Sequence, residues 1–194
     1  MVLLILSACT KQMDTPQQET PPIPAAPSAS TFTEYTIKKG EHYCDKNNFV
    51  AVDCAAMSFS VWFDSSAIYT SAAAENQYDI NKLFGFSDNQ AHHHEYSARF
   101  GWGWSNHALN LYAYVYNEGV RSFQWLGTVP LNKQVKCSLA ATGNKYVFTV
   151  NGKTTAMPRL AKTMRAAGYK LYPYFGGNEP APHTIRIRIE EQRR

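Results

Sequence analysis

No apolar stretch in these 194 residues is long enough to cross a bilayer as a helix, which takes roughly 20 residues. The opening run, Met1 to Leu6, ends at Ser7 and is far too short. Cysteine is sparse, four residues in all, and no two stand at the Cys-x-x-Cys spacing of a zinc site. Helical periodicity is scarce and no internal repeat is visible. There is no Gly-x-Ser-x-Gly elbow and no phosphate loop. A retaining glycosidase holds two carboxylates about 5 Å apart, and no convincing pair stands out.

The first 30 residues differ from the rest. Ser7-Ala8 before Cys9 reads as the end of a secretory signal with a small-residue cleavage site. Leu6-Ser7-Ala8-Cys9 resembles the bacterial lipobox, in which the cysteine is acylated and becomes the mature N-terminus. The basic segment that opens such a signal is missing, so residues 1–8 read as a partial signal peptide. An ordinary signal with an incidental cysteine is the alternative. Residues 9–30 then form a lipidated Cys9 and a tether, with Pro16, Pro21, Pro22, Pro24 and Pro27 among Gln, Thr, Ala and Ser. Such a composition buries no core and behaves as an extended spacer. The expectation is an exported bacterial lipoprotein in the cell envelope, attached to the membrane through the lipid alone, with residues 31–194 as its folded domain.

The chain carries a net charge of +4. The basic excess gathers in residues 153–194, where nine Lys or Arg face Glu179, Glu190 and Glu191. That suits an anionic ligand, and nucleic acid is not expected of an exported chain. Beyond Cys9, export favours one disulfide and one free thiol. Cys44 and Cys54 are close in sequence and Cys137 is left over, but all three pairings stay open.

The domain reads as a series of β-strands. Met57, Phe59, Val61 and Phe63 alternate with polar residues and Trp62, the period of a half-buried strand. Leu111, Ala113 and Val115 alternate with Tyr112, Tyr114 and Tyr116, and Ile185, Ile187 and Ile189 with Thr184, Arg186 and Arg188. Tyr146 to Val150 runs into Asn151-Gly152, a hairpin turn signal. One short helix is predicted over Pro158 to Ala167, with Leu160 and Met164 four apart and Gly168 as its cap. A shorter turn covers Tyr78 to Leu83. Many strands and little helix predict an all-β sandwich or jelly roll of two antiparallel sheets.

Two neighbouring strands carry the chemistry. Ala98, Phe100, Trp102 and Trp104 share one face of residues 97–104, and Ser97, Arg99, Gly101 and Gly103 the other. Beside them stand Tyr112, Tyr114 and Tyr116. Glycines leave room above the sheet, rings stack on sugars, and an arginine grips a carboxylate in bidentate fashion. Lys170, Tyr172 and Tyr174 form a further alternating face; with Tyr116, His94 and His183 they are expected along the same groove. His92-His93-His94 could include a metal ligand or a catalytic base, since His titrates near neutrality, but it reads mainly as a polar loop, because consecutive residues of a strand point to opposite faces and do not easily share one metal. No cofactor is expected. Asp79, Asn81, Asp88 and Asn89 offer oxygen ligands for calcium, but without the spacing of an EF-hand loop. Ordinary half-buried tyrosine stripes, with Arg99 paired to Glu95 or Asp79, are the bland alternative.

Lys82-Leu83-Phe84-Gly85, then Ser97-Ala98-Arg99-Phe100-Gly101-Trp102, then Tyr112-Ala113-Tyr114 resembles, in order, the jelly-roll polysaccharide lyases that cleave alginate or glucuronan. Their fold is that of the concanavalin A-like lectins and glucanases, and the hairpin at Tyr146 to Gly152 is similar too. Phe84 stands where that family has proline. The Glu-x-Asp-x-Glu strand of laminarinase-type glucanases is absent, as are the Arg-x-Glu-x-Arg and Gln-Ile-His motifs of another alginate-lyase family. The resemblance implies β-elimination on an acidic polysaccharide. Arg99 and Lys82 would neutralise a uronate carboxylate, Tyr112 or Tyr114 would move the protons, and Ser97 would orient the substrate. A non-catalytic glycan-binding lipoprotein and a structural envelope protein are the alternatives.

Overall fold

A computed structural model describes residues 32–192; the expected signal peptide, lipidated Cys9 and tether lie outside the described residues. The alternation seen in the sequence builds the strands. In β3 (Ala56–Phe63) the residues Met57, Phe59, Val61 and Phe63 are buried, and in β12 (Ile185–Glu191) the three isoleucines are. The first sheet runs β1 (Thr33–Ile37), β12, β3, β8 (Gln134–Thr142), β9 (Lys145–Val150), β10 (Lys153–Pro158). The second runs β2 (Ala51–Cys54), β11 (Ala166–Leu171), β4 (Asn81–Ser87), β5 (Ser97–Ser105), β6 (Ala108–Asn117), β7 (Val120–Val129). Every pairing among the described residues is antiparallel, and the architecture is the predicted jelly-roll sandwich.

The inner faces of both sheets meet in an aromatic core. Phe59 contacts Phe84 at 5.2 Å and Phe100 at 5.5 Å, and Phe100 contacts Phe148 at 5.1 Å, all edge to face. Burying each such ring contributes roughly 1.5–3 kcal/mol. Phe84 is therefore a core residue, which accounts for its presence at the proline position of the resembling lyases. The Asn151-Gly152 turn forms as predicted, with φ of 47° and 86°.

Two expectations fail. No helix covers Pro158 to Ala167: Pro158 ends β10, and β11 begins at Ala166. The Leu160 and Met164 pair that suggested a helical stripe is exposed, and Arg159 is instead drawn inward onto Asp88. Helical structure among the described residues is confined to two 3-10 turns, Ser65–Ala67 and Ala74–Tyr78, so the second turn lies earlier than Tyr78 to Leu83. Nor does a disulfide join Cys44, Cys54 and Cys137 to one another. Cys137 sits in β8 of the first sheet, Cys44 bridges Ile37 at that sheet's edge, and Cys54 ends β2 in the other sheet.

Candidate functional site

The outer face of the second sheet is where the strands present polar and aromatic groups. Register places Arg99 of β5 opposite Tyr114 of β6, and Lys82 of β4 opposite Gly101. Strand β4 bulges between Lys82 and Gly85, and Gly85 comes to lie against Arg99. A side chain at Gly85 would run into the Ala98 carbonyl and the Arg99 backbone, so the glycine of the Lys-Leu-Phe-Gly segment is what lets the strands close here. Tyr174 bridges to Lys82 from beyond β11, and Tyr43 bridges to Tyr174. Together with His92, His93, His94 and Tyr169 these residues line a groove of about 660 Å³.

The floor of the groove is cationic. Arg99 is only 6% exposed, its Nε has no hydrogen-bond partner, and neither Glu95 nor Asp79 pairs with it. Its guanidinium carbon lies 5.4 Å from the centre of the Tyr114 ring. The Lys82 ammonium is 5.4 Å from the same ring and 5.6 Å from that of Tyr174, and donates to the Gly176 carbonyl at 2.8 Å. Burial, with the charge of Arg99 behind it, pushes Lys82 down to about 8. Burial likewise pulls Arg99 down to about 10, opposed by the surrounding tyrosines, so it stays charged at neutral pH.

Three groups beside this floor, Tyr114, His93 and His94, are held in their neutral forms. Burial raises the phenol of Tyr114, Tyr116 adds to the effect, and Arg121 and Arg99 oppose it without winning. Burial and then Arg99 push His93 down to about 4. The Tyr169 hydroxyl accepts the His93 backbone N–H at 3.1 Å and lies 2.9 Å from Nδ1, within hydrogen-bond distance of the ring. His94 is lowered by burial, His92, Arg99 and Lys82, and its ring stands 5.3 Å from that of Tyr116.

Solved structures share this fold. No protein-family model matches the chain, and no curated protein sequence matches it. Alginate lyase AlyC3 aligns over 83% of this chain and 74% of its own, with a TM-score of 0.53 at 13% identity. The same lyase solved with dimannuronate gives 0.51. The alginate lyase from Klebsiella pneumoniae aligns over 71% of this chain and 58% of its own, at 0.52 and 12% identity. At such identity the likeness shows the fold: the jelly roll of these lyases.

Lys82, Arg99, Tyr114, Tyr116, Tyr174 and His94 converge on the groove as the sequence suggested. Others do not. Ser97 is buried and donates its hydroxyl to the His93 carbonyl at 2.7 Å, holding the histidine loop rather than a substrate. Tyr112 lies one step along the sheet, beside Gly101 and Gly103 and opposite Trp125, outside the groove lining. Lys170 and Tyr172 do line the groove wall as expected, with the Lys170 ammonium bound to Glu191 at 2.7 Å and the Tyr172 ring packed on Tyr35 and Phe84. His183 bonds the Ser66 carbonyl, away from the groove. The calcium donors do not gather: Asn81 bonds Tyr69 and Gly176, Asn89 accepts from Lys162, and the Asp88 carboxylate is filled by Arg159. Tyr169, Tyr43 and Arg121 line the groove without having stood out in the sequence, and His93 stood out only as part of the His92 to His94 loop. The signal available for them was position: the histidines lie just before the Ser-Ala-Arg strand.

Proposed function

We propose that the groove binds an acidic polysaccharide and cleaves it by β-elimination. One observation carries this reading: two cations, Arg99 and Lys82, share the groove floor with no salt bridge to either among the described residues, Asp79 acting on Lys82 only at a distance. A uronate supplies the missing carboxylate, and the tyrosine rings around it suit sugar faces. The fold likeness to alginate lyases supports the same class of ligand.

Arg99 and Lys82 bind the carboxylate and stabilise the charge that develops as the C5 proton leaves. The neutral imidazole of His94 takes that proton. Electrons of the C5–H bond form the C4–C5 double bond, the C4–O4 bond breaks, and the protonated Tyr114 hydroxyl gives its proton to O4. Water returns a proton from His94 to Tyr114. Dividing the proton work this way follows from the raised phenol, which is an acid rather than a base. The same raised phenol favours a second reading, in which Tyr114 is a hydrogen-bond donor of a non-catalytic lectin.

The test is ultraviolet absorbance of the unsaturated product from alginate and from glucuronan. The unchanged chain is expected to produce it, with Tyr114→Phe slower by at least about 100-fold at undiminished binding. Binding without absorbance from either polymer establishes the lectin reading; loss of both overturns the acidic-polysaccharide reading.

A further inference from the structure

Strand β7 is an edge strand whose outward residues continue the groove face. Its register pairs Arg121 with Tyr116, Phe123 with Tyr114 and Trp125 with Tyr112. Paired residues of an antiparallel sheet share a face, so Arg99, Tyr114 and Phe123 form one row across β5, β6 and β7. At roughly 4.8 Å per strand, Phe123 stands about 10 Å from the Arg99 row position. Phe123 is 54% exposed and Trp125 57%.

The tryptophan is held in place. Its indole N–H donates to Asn110 Oδ1 at 2.9 Å, and the Asn110 amide is itself fixed by the Ser105 carbonyl and hydroxyl and the Ala108 carbonyl. The bulge at Leu111/Tyr112 keeps the neighbouring Leu126 packed against the core, leaving Trp125 on the outer face. An aromatic ring fixed through its polar edge, one step along the sheet from the groove and next to Phe123 on the same face, is pre-organised for stacking.

We propose that Phe123 and Trp125 form a second binding shelf that takes sugar rings of the same acidic polysaccharide beyond the one held over Arg99. The proposal rests on the groove reading above. Continuity of the face carries it: a chain leaving Arg99 across the strands passes over Tyr114 to Phe123, with Arg121 placed to meet a further carboxylate. The shelf makes affinity depend on chain length.

The test compares binding of long alginate chains and of the alginate disaccharide by calorimetry, in a Tyr114→Phe background that prevents cleavage. Trp125→Ala is expected to raise Kd for the polymer about tenfold and to leave the disaccharide within about twofold, with Trp125→Phe intermediate. Unchanged melting temperature of both variants shows that folding is intact. Equal polymer affinity before and after Trp125→Ala overturns the shelf and leaves the groove reading standing. A concentration-dependent dimer that Trp125→Ala dissociates overturns it too, since the strip would then be covered by a second copy. No binding of any uronate chain by the parent overturns both readings.

Discussion

Asp88 and Arg159 form an ion pair whose side chains are 0% and 1% exposed, and Asp88→Asn tests what that pair contributes. The carboxylate takes Arg159 Nε at 2.8 Å, Arg159 Nη2 at 3.3 Å, the Tyr146 hydroxyl at 2.8 Å and the Thr163 hydroxyl at 3.1 Å. Backbone N–H groups of Asn89 and Ala167 complete its shell. An asparagine keeps the shape but leaves the guanidinium buried without a counter-charge, which costs about 3–5 kcal/mol. Against a total stability of roughly 5–15 kcal/mol, the melting temperature should fall by about 10 °C at pH 7. Burial alone would raise the Asp88 carboxyl, but Arg159, Asn89, Tyr146 and Ala167 hold it below the ordinary value. A depressed carboxyl stabilises the fold above its unfolded value of about 3.9 and loses that contribution as pH falls through the lower, folded value. The gap between variant and parent should therefore be largest at neutral pH and narrow below about pH 4. Thermal unfolding followed by circular dichroism reads both effects. A melting temperature within about 2 °C of the parent at pH 7 would refute the reasoning. Replacing both partners, Asp88→Leu with Arg159→Met, should recover much of the loss.

Lys82, pushed down to about 8, is cationic below that pH and neutral above it, so uronate affinity should fall as pH is raised from about 7 to about 9.5. Titration of the parent against Lys82→Met checks this, and equal affinity at both pH values in the parent would sink it. Arg99→Met should abolish uronate binding while raising the melting temperature by a few degrees, because an unpaired buried charge leaves the folded state. A melting temperature lowered by the same substitution would mean that Arg99 holds the fold together.

The sandwich was legible because its signal is local. Alternation in Met57 to Phe63, Leu111 to Tyr116 and Ile185 to Ile189 fixes which side chains turn inward, and Asn151-Gly152 fixes one turn. The row from Arg99 to Tyr114 follows from the same alternation once β5 and β6 pair. What failed depended on contacts distant in sequence. Leu160 and Met164 looked helical, but the buried partner of this segment is Arg159, bound to a carboxylate 71 residues away. Alternation along Lys170, Tyr172 and Tyr174 implied a common groove, which all three line, though by different routes than one alternating face. Pairing puts Lys170 opposite the buried Phe86 and Leu171 opposite Gly85, while Tyr174 meets Lys82 across the bulge. A bulge changes which residues share a face, and no feature of β11 itself announces the one in β4. Ser97 had the right parity, yet spacing alone does not place the loop that precedes it, and that loop covers it through the His93 carbonyl.

Arg99 is the residue for which fold and chemistry pull in opposite directions. A guanidinium taken out of water loses several kcal/mol of solvation, and ordinarily a carboxylate or a full set of acceptors offsets it. Here the nearby ring of Tyr114 supplies a cation–π contact worth about 0.5–2 kcal/mol. That is less than the solvation lost, and Lys82 adds a like charge that burial also disfavours. Such a floor is unfavourable in the free protein and becomes favourable when an anion enters, so binding energy is concentrated at the carboxylate rather than spread over the sugar. The neutral groups around it reinforce this selectivity. With Tyr114, His93 and His94 uncharged at neutral pH, neither cation has a salt bridge among the described residues, and a neutral glycan would bring them no counter-charge. Discrimination by an unmet charge is stronger than discrimination by ring stacking, which any hexose satisfies. On the proposed reading, the groove selects uronates first and positions them second.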